Sequence, residues 1–342
     1  MSPSGSPGRT HIGVTAAALQ SLPFEITLAT ARQARELGYR SFWTAETVGP
    51  EAFASLAAVG GVAPGLSLGT GVLALQLRSP QLVAMGAATL QAQQPDIDVL
   101  MGVGISSPVV TGQWHGVPYG ERPLARTREY LTVLRACLGG DSVTFDGDFY
   151  TCRKFRLGVR LGDHRPKIVL GALNERMLAL AGELADGVLL NYLPASAVPW
   201  CVAQVRAAEV VAGRPEGSCT VYAYVHVSVT DRDAALPYAR RDLFSYAVVD
   251  AYARAFERAG FGTEVDAIRA AHAARDRDGA VSAVSDRMAD AIDICGDAAL
   301  VTKAVAEYVA AGADVPVVMP MPWGEDRAKV VSDTILAAIE AR

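Results

Sequence analysis

The sequence predicts an α/β protein, a (β/α)8 TIM barrel with insertions after its fourth and seventh strands. Three observations predict it. Short apolar runs alternate with amphipathic stretches along the whole chain, eight pairs in all. The runs are continuously apolar, as parallel strands covered on both faces must be. The chain has 342 residues, 51% hydrophobic and 20% charged, which is ample for one large core and excludes disorder. An open doubly wound sheet satisfies the same alternation and is the competing architecture.

The first strand falls at 11–15 and its helix at 23–37. Pro23 suits a first helical position, Phe24, Leu28, Ala31 and Leu37 lie close to one face, and Gly38 supplies the stop. The second strand is 41–44, followed by a small helix at 51–59. The third spans 66–75, and Ser79-Pro80 opens a helix running to 92. The fourth is 98–103, with its helix at 126–138 after a long loop. The fifth and sixth strands, 167–171 and 187–191, precede helices at 174–184 and 195–212. The seventh, 219–229, alternates. The eighth, 315–319, tolerates Pro316 because it sits at the strand's opening. A helix at 325–339 closes the chain, with Val331, Ile335 and Ala338 on one face. Residues 106–166 and 231–295 exceed ordinary loop lengths, and the second stretch has helical pattern of its own at 244–259. In a barrel both rise from the carboxyl face, where sites are built. No boundary linker interrupts 10–342, so it reads as one domain behind a loose, disordered Ser/Pro/Gly-rich tail at 1–9.

Composition excludes several functions. The 31 basic and 36 acidic residues leave a net charge of −5 with no basic cluster, against nucleic-acid or anionic-membrane partners. Five scattered cysteines (Cys137, Cys152, Cys201, Cys219, Cys295) form no CxxC pair and fit reduced thiols in a cytoplasm. No signal peptide or bilayer-length apolar stretch is visible, so a soluble cytoplasmic protein is expected. The five histidines (His11, His115, His164, His226, His272) stand apart without HxH or HExxH spacing, and no metal site is expected. Asp96 and Asp98 read as a solvated turn at a strand entrance. GxSxG and P-loop motifs are missing, so serine hydrolase and NTPase chemistry lack their signatures.

Gly69-Thr70-Gly71-Val72-Leu73-Ala74 matches GxGxxA formally, but a dinucleotide turn needs a helix opening there, and 72–77 continues as extended apolar chain. Gly102-Val103-Gly104 follows a strand, yet Ser107 takes the third glycine position and no helix is signalled. The polar strand ends are more informative. Glu46, just past strand two, reads equally as an acid, base or orienting group and as the cap of the next segment. Strand four runs into Ser106 and Ser107, and strand six ends at Asn191-Tyr192. Strand five ends Gly171-Ala172-Leu173, with Asn174 capping a helix whose free N–H groups suit an anion. Gly296-Asp297 opens another helix. Plain caps explain both helix starts; only their convergence on one barrel face favours a phosphate-bearing cofactor. His226, on strand seven, reads as a core or wall histidine or as a catalytic group.

These strand ends, in order, resemble the luciferase-like superfamily of flavin and deazaflavin oxidoreductases, and within it the group using coenzyme F420. The resembling segments are SFWTAETVGPEAF at 41–53, LSLGTGVLALQLRSP at 66–80, GVGISSPVVTGQWHGVPYGERPLARTREY at 102–130, RMLALAGELADGVLLNYL at 176–193 and ICGDAALVTKAVAEYVAAGADVPVVMP at 294–320. The resemblance implies a barrel with the cofactor ring in its carboxyl-end mouth, and a third-strand bulge with a non-prolyl cis peptide, here at Gly71-Val72. Ring contacts map to Glu46, Ser106 and Ser107, and the phosphate-bearing tail to Gly171, Ala172, Leu173, Asn174 and Asn191. Two-electron hydride transfer follows, with Glu46 as proton relay, Trp43 and Trp114 as walls of the substrate cavity, and His226 as a further candidate. The implied substrate is a small or medium organic molecule, the implied assembly a homodimer, and the implied electron source a flavin or F420 reductase. One segment departs from the family: Gln91 to Asp98 carries Pro95 and two aspartates where a small Gly-rich turn is usual, which would alter the register of strand four. The alternatives are an FMN-dependent monooxygenase on the same fold, and a divergent member that binds a flavin-like ligand, or has lost it, and does non-redox chemistry.

Overall fold

Alternating burial along each strand is what allows this sheet to close. On the second strand Phe42 joins the cluster between sheet and helices, whereas Trp43 belongs to a separate cluster inside the barrel. Leu68, Met101, Ile168, Val188, Val225 and Val318 share the outer layer, and Leu100, Val169, Leu189, Tyr222, Tyr224 and Val317 fill the inner one. A strand with apolar residues in both registers is stable only when both faces are covered.

The computed structural model describes residues 11–341; the tail expected at 1–9 lies outside the described residues. The chain runs β1 (Gly13–Thr15), α1 (Phe24–Leu37), β2 (Ser41–Thr44), α2 (Ala52–Val62), β3 (Ser67–Thr70), its continuation β4 (Leu73–Ala74), α3 (Pro80–Gln93) and β5 (Val99–Gly104). After α4 (Pro123–Leu138) comes an antiparallel pair, β6 (Val143–Asp146) and β7 (Thr151–Phe155). The barrel resumes with β8 (Lys167–Gly171), α5 (Glu175–Leu184), β9 (Gly187–Leu190), α6 (Val198–Val211) and β10 (Thr220–Val229). The second insertion holds α7 (Arg232–Ala247), α8 (Asp250–Phe256), α9 (Gly262–Ala273), α10 (Arg277–Ser282) and α11 (Asp286–Ile292), followed by β11 (Asp293–Gly296), α12 (Ala298–Ala310), β12 (Val315–Pro320) and α13 (Arg327–Ala338). Every barrel pairing is parallel, and β12 joins β1 on one side and β10 on the other, which closes the ring. The open doubly wound alternative is thereby excluded.

Two elements differ from the expectation. The insertion expected at 231–295 ends inside a strand. β11 pairs with 226–229 of β10, continuing the edge that β9 occupies at 220–223, because β10 is longer than its neighbour. The 106–166 segment folds in part as the β6–β7 pair. The third strand carries the expected bulge: Gly69 faces Leu100 and Leu73 faces Val103, one residue more on this strand than on β5. The Gly71-Val72 peptide is cis. Opposite it, a Cβ on Gly102 would fall on the carbonyl oxygen of Thr70, so the close approach of the two backbones requires glycine there.

The unusual turn at 91–98 leaves strand four paired in parallel with both neighbours, without interruption along β8 and across the bulge along the third strand. Gln91 donates from Nε2 to the carbonyls of Gln94 and Ile97, at 3.1 and 2.9 Å. Asp98 binds Lys167 and His164, each at 2.8 Å. A third core joins α7, α8, α9 and α11 through Leu243, Phe256, Ile268 and Met288, so the second insertion packs on itself above the barrel wall. Among the described residues no helix is long and apolar enough to cross a membrane.

Candidate active site at the carboxyl end of the barrel

At the mouth the inner layer changes from large apolar side chains to glycine. Val72, at the bulge, lies against Gly104 and Gly171: a Cβ added to either would meet its methyls at 2.9 and 3.2 Å. Below it Tyr224 donates its hydroxyl to the Gly71 carbonyl at 3.1 Å and accepts from Thr15 at 3.3 Å, fixing the bulge from inside the barrel. The result is a floor formed by Val72 and bare backbone. Leu73 and Leu75 face the outer core; β4 ends at Ala74, and the Leu77 N–H donates to the Ala74 carbonyl at 2.9 Å, which puts Gln76 in the turn that follows the strand. Both polar atoms of the Gln76 amide are buried and without a hydrogen-bond partner in the described structure. A buried amide of this kind costs free energy until something satisfies it.

Of the expected site residues, Gly71, Val72 and Gly171 lie at this floor. Ser106 follows the end of β5, while Ser107 caps the turn Val109–Trp114, its Oγ accepting from the Val110 N–H at 3.2 Å. Asn174 caps α5, Oδ1 accepting from Met177 at 3.1 Å. Beside that helix end, Arg258 from the insertion donates to the Leu173 carbonyl at 2.5 Å and lies over the Trp200 ring, 4.6 Å from its centre. Ala172 faces the outer core instead of the mouth, because its neighbour Gly171 takes the inward register.

Trp43 does not reach the mouth. It is fully buried in the barrel's inner layer, donates to Ser41 Oγ at 2.9 Å, and stands edge-on to Tyr222 at 5.0 Å over the bare Cα of Gly69. Its role is to fill the barrel. Trp114 is 57% exposed, a rim residue open to solvent and no closed wall. Glu46 takes the capping reading. Arg78 donates to both its oxygens at 2.8 Å, and the Ala52 N–H, at the start of α2, donates at 3.0 Å. Burial resists ionisation, but the Arg78 and Ala52 hydrogen bonds and the Arg78 and His115 charges outweigh it and hold the carboxyl below its ordinary range. Arg78 also pairs with Glu51. Among the described residues, all the hydrogen bonds of this carboxylate are thus with Arg78 and the start of α2.

His226 is 1% exposed and sits at the heart of a buried polar group. Its Nε2 is 2.8 Å from Asn191 Oδ1 and its Nδ1 is 2.9 Å from Asp293 Oδ1. Tyr192 stands edge-on to the imidazole and donates to Asp242 Oδ2 at 2.8 Å; Tyr246 stacks on Tyr192. Burial lowers His226 to about 4 against the opposing charge of Asp242. Burial and then the Asp293 charge raise Asp242 to about 7, and burial raises Asp293 well above the carboxylate range. Asn191, expected as a cofactor contact, is thus committed to His226. Asp242, Asp293 and Arg258 were not legible as partners, since they come from the insertion and from β11. Gln76 carried a signal: it is the one amide within the apolar run at 72–77.

A parallel barrel with a bulged third strand, a glycine-lined mouth and helix-capped strand ends defines an α/β-barrel enzyme class with its site at the carboxyl face. The chain belongs to the luciferase-like monooxygenase family, whose model matches residues 6–315. It is 31% identical over 308 residues, 83% of this chain and 88% of the other, to a Mycobacterium tuberculosis protein provisionally named a coenzyme F420-dependent oxidoreductase. It is 30% identical over 272 residues, 78% and 80% of the two chains, to the 5,10-methylenetetrahydromethanopterin reductase of Archaeoglobus fulgidus. The structure of the coenzyme F420 dependent tetrahydromethanopterin reductase from Methanopyrus kandleri superposes with a TM-score of 0.77 at 22% identity, over 96% of this chain and 98% of that one.

Proposed function

We propose that this protein is an oxidoreductase that passes hydride between the deazaflavin coenzyme F420 and a small or medium organic substrate. The buried, unpartnered amide of Gln76, in the turn that follows the bulged third strand, together with the side-chain-free floor at Val72, Gly104 and Gly171, is the observation that carries this reading. A flat ring with polar edges fits it: Val72, Gly104 and Gly171 offer a face free of side-chain bulk, and Gln76 offers one acceptor and two donors. The α5 N-terminus with Asn174, and the Arg258 guanidinium beside Leu173, suit an anionic tail. When bound, the deazaflavin supplies a ring carbon that gives or accepts hydride. The protein's own contribution is then position and water exclusion. Tyr224 and Thr15 hold the floor through Gly71, and the Glu46–Arg78 pair fixes the start of α2 against the loop after β4. A homodimer and a separate reductase as electron source belong to the same reading.

The test is an anaerobic fluorescence titration with F420 and, separately, FMN, on wild type and Gln76→Leu. Wild type is expected to bind F420 at micromolar Kd or tighter and FMN weakly. Loss of the Gln76 contacts costs about 1–3 kcal/mol, roughly a 5- to 150-fold weaker Kd. The variant's stability without cofactor stays level or rises, because an unsatisfied buried amide has been removed. Tight FMN binding alone would move the assignment to an FMN-dependent monooxygenase, and binding of neither would end the redox reading.

A further inference from the structure

The buried group around His226 is bound together by its own hydrogen-bond directions. The Tyr192 N–H donates to Asn191 Oδ1 at 2.9 Å, which fixes that amide's orientation. His226 Nε2, 2.8 Å from the same oxygen, must therefore carry a hydrogen and donate it. In the neutral imidazole this leaves the Nδ1 lone pair facing Asp293 Oδ1 at 2.9 Å. Asp242 is the third member: ligand atoms of His226, Asp242 and Asp293 all lie within 4.8 Å of one another. Tyr192 Oη donates to Asp242 Oδ2 at 2.8 Å. The side chain of Asp293 is 0% exposed, and its Oδ2 has no hydrogen-bond partner. Among the described residues neither aspartate forms an ion pair with an arginine or lysine.

Three electron-rich groups thus converge in a buried site, where a carboxyl either takes up a proton or keeps its charge beside a compensating positive one. We propose that His226 Nδ1, Asp242 and Asp293 bind one divalent first-row transition cation, of the Zn2+ or Mn2+ class. One imidazole with two carboxylates suits such an ion better than Mg2+ or Ca2+, which prefer all-oxygen sets. Bonds of about 2.1 Å set neighbouring ligand atoms roughly 3.0–3.4 Å apart, close to the spacing of His226 and Asp293. Asn191 on Nε2 and Tyr192 on Asp242 are the outer partners that orient metal ligands. The three ligands come from β10, β11 and α7, so the ion fastens the second insertion to the barrel wall. The site is structural, and it stands independently of the cofactor assignment.

Untagged full-length protein, stripped with EDTA and desalted, is titrated with Zn2+, Mn2+ and Mg2+, and bound metal is counted by mass spectrometry after gel filtration. One Zn2+ or Mn2+ per chain is expected, with a Tm that rises with ion concentration and no response to Mg2+. Asp293→Asn and His226→Gln should lose the ion and the Tm response. Asp242→Asn, nearer the surface, should weaken binding at least tenfold, and exposed Asp290→Asn should change nothing. Co2+ absorption of the wild type gives the answer even if the core variants do not fold, since d–d bands report a nitrogen–oxygen ligand field. A folded wild type that takes up no Zn2+, Mn2+ or Co2+, with a carboxylic-acid infrared band lost in Asp293→Asn, would overturn the proposal and assign the central positive charge to a proton.

Discussion

Replacing Glu46 with glutamine separates a structural carboxylate from a proton-transferring one. The Glu46 side chain is 15% exposed and accepts from Arg78 Nε, Arg78 Nη2 and the Ala52 N–H. Gln keeps one acceptor oxygen but turns an NH2 group toward a donor and removes the charge. Hydrogen bonds to charged groups contribute about 1.5–3 kcal/mol. Arg78 retains Glu51, which places the expected loss toward the lower end, about 2 kcal/mol. At about 2.1 cal/mol/K per residue this is a Tm decrease of roughly 3 °C. The pH dependence has a definite sign. The folded carboxyl titrates below its ordinary range, so its stabilisation is present above the unfolded value of about 4.3 and is lost as pH falls through the folded value. The stability gap between wild type and Glu46→Gln, from urea denaturation, should therefore close as pH is lowered from about 6 to about 3, while F420 binding survives. A variant that keeps full stability but loses hydride transfer would refute this reasoning and return Glu46 to proton chemistry.

Three further outcomes are expected. Gly69→Val would drive a side chain into the Trp43 ring; overpacking costs about 1–3 kcal/mol or more, and a Trp43→Phe second change should recover part of it in the same denaturation assay. Tyr224→Phe leaves the buried Gly71 carbonyl without the Tyr224 hydroxyl and should lose about 1–3 kcal/mol, with weaker cofactor binding in the fluorescence titration. Asn174→Ala removes the α5 cap at about 1 kcal/mol, and if this helix end receives an anionic tail, Asn174→Asp should keep the cap while weakening F420 binding.

The barrel was legible because it depends on local periodicity. Continuous apolar runs such as 99–104 and 187–190, each followed by a capped amphipathic helix, carry their own partner requirement, since strands buried on both faces need helices over them. The bulge at Gly71-Val72 and the caps at Asn174 and Asp297 were likewise readable, the first by resemblance and the others by local side-chain chemistry. Facing was less secure. Ala172 sits one register away from the mouth it was expected to line, while Trp43 faces inward but is packed within the barrel, and only closure of the ring decides which layer and depth a residue takes. The fate of Glu46 depended on Arg78, 32 positions away, since a carboxylate's chemistry is set by what it pairs with. His226 shows the limit most plainly. Alone in sequence it suggested no metal site, because the two carboxyls that share its buried volume, Asp242 and Asp293, come from α7 and β11. By itself the sequence determined the eight strand–helix units of the barrel, their order and the family, but not β11 or the β6–β7 pair. Tertiary structure decided which polar groups share a buried volume, because burial and pairing are properties of chain segments that meet only when the barrel closes.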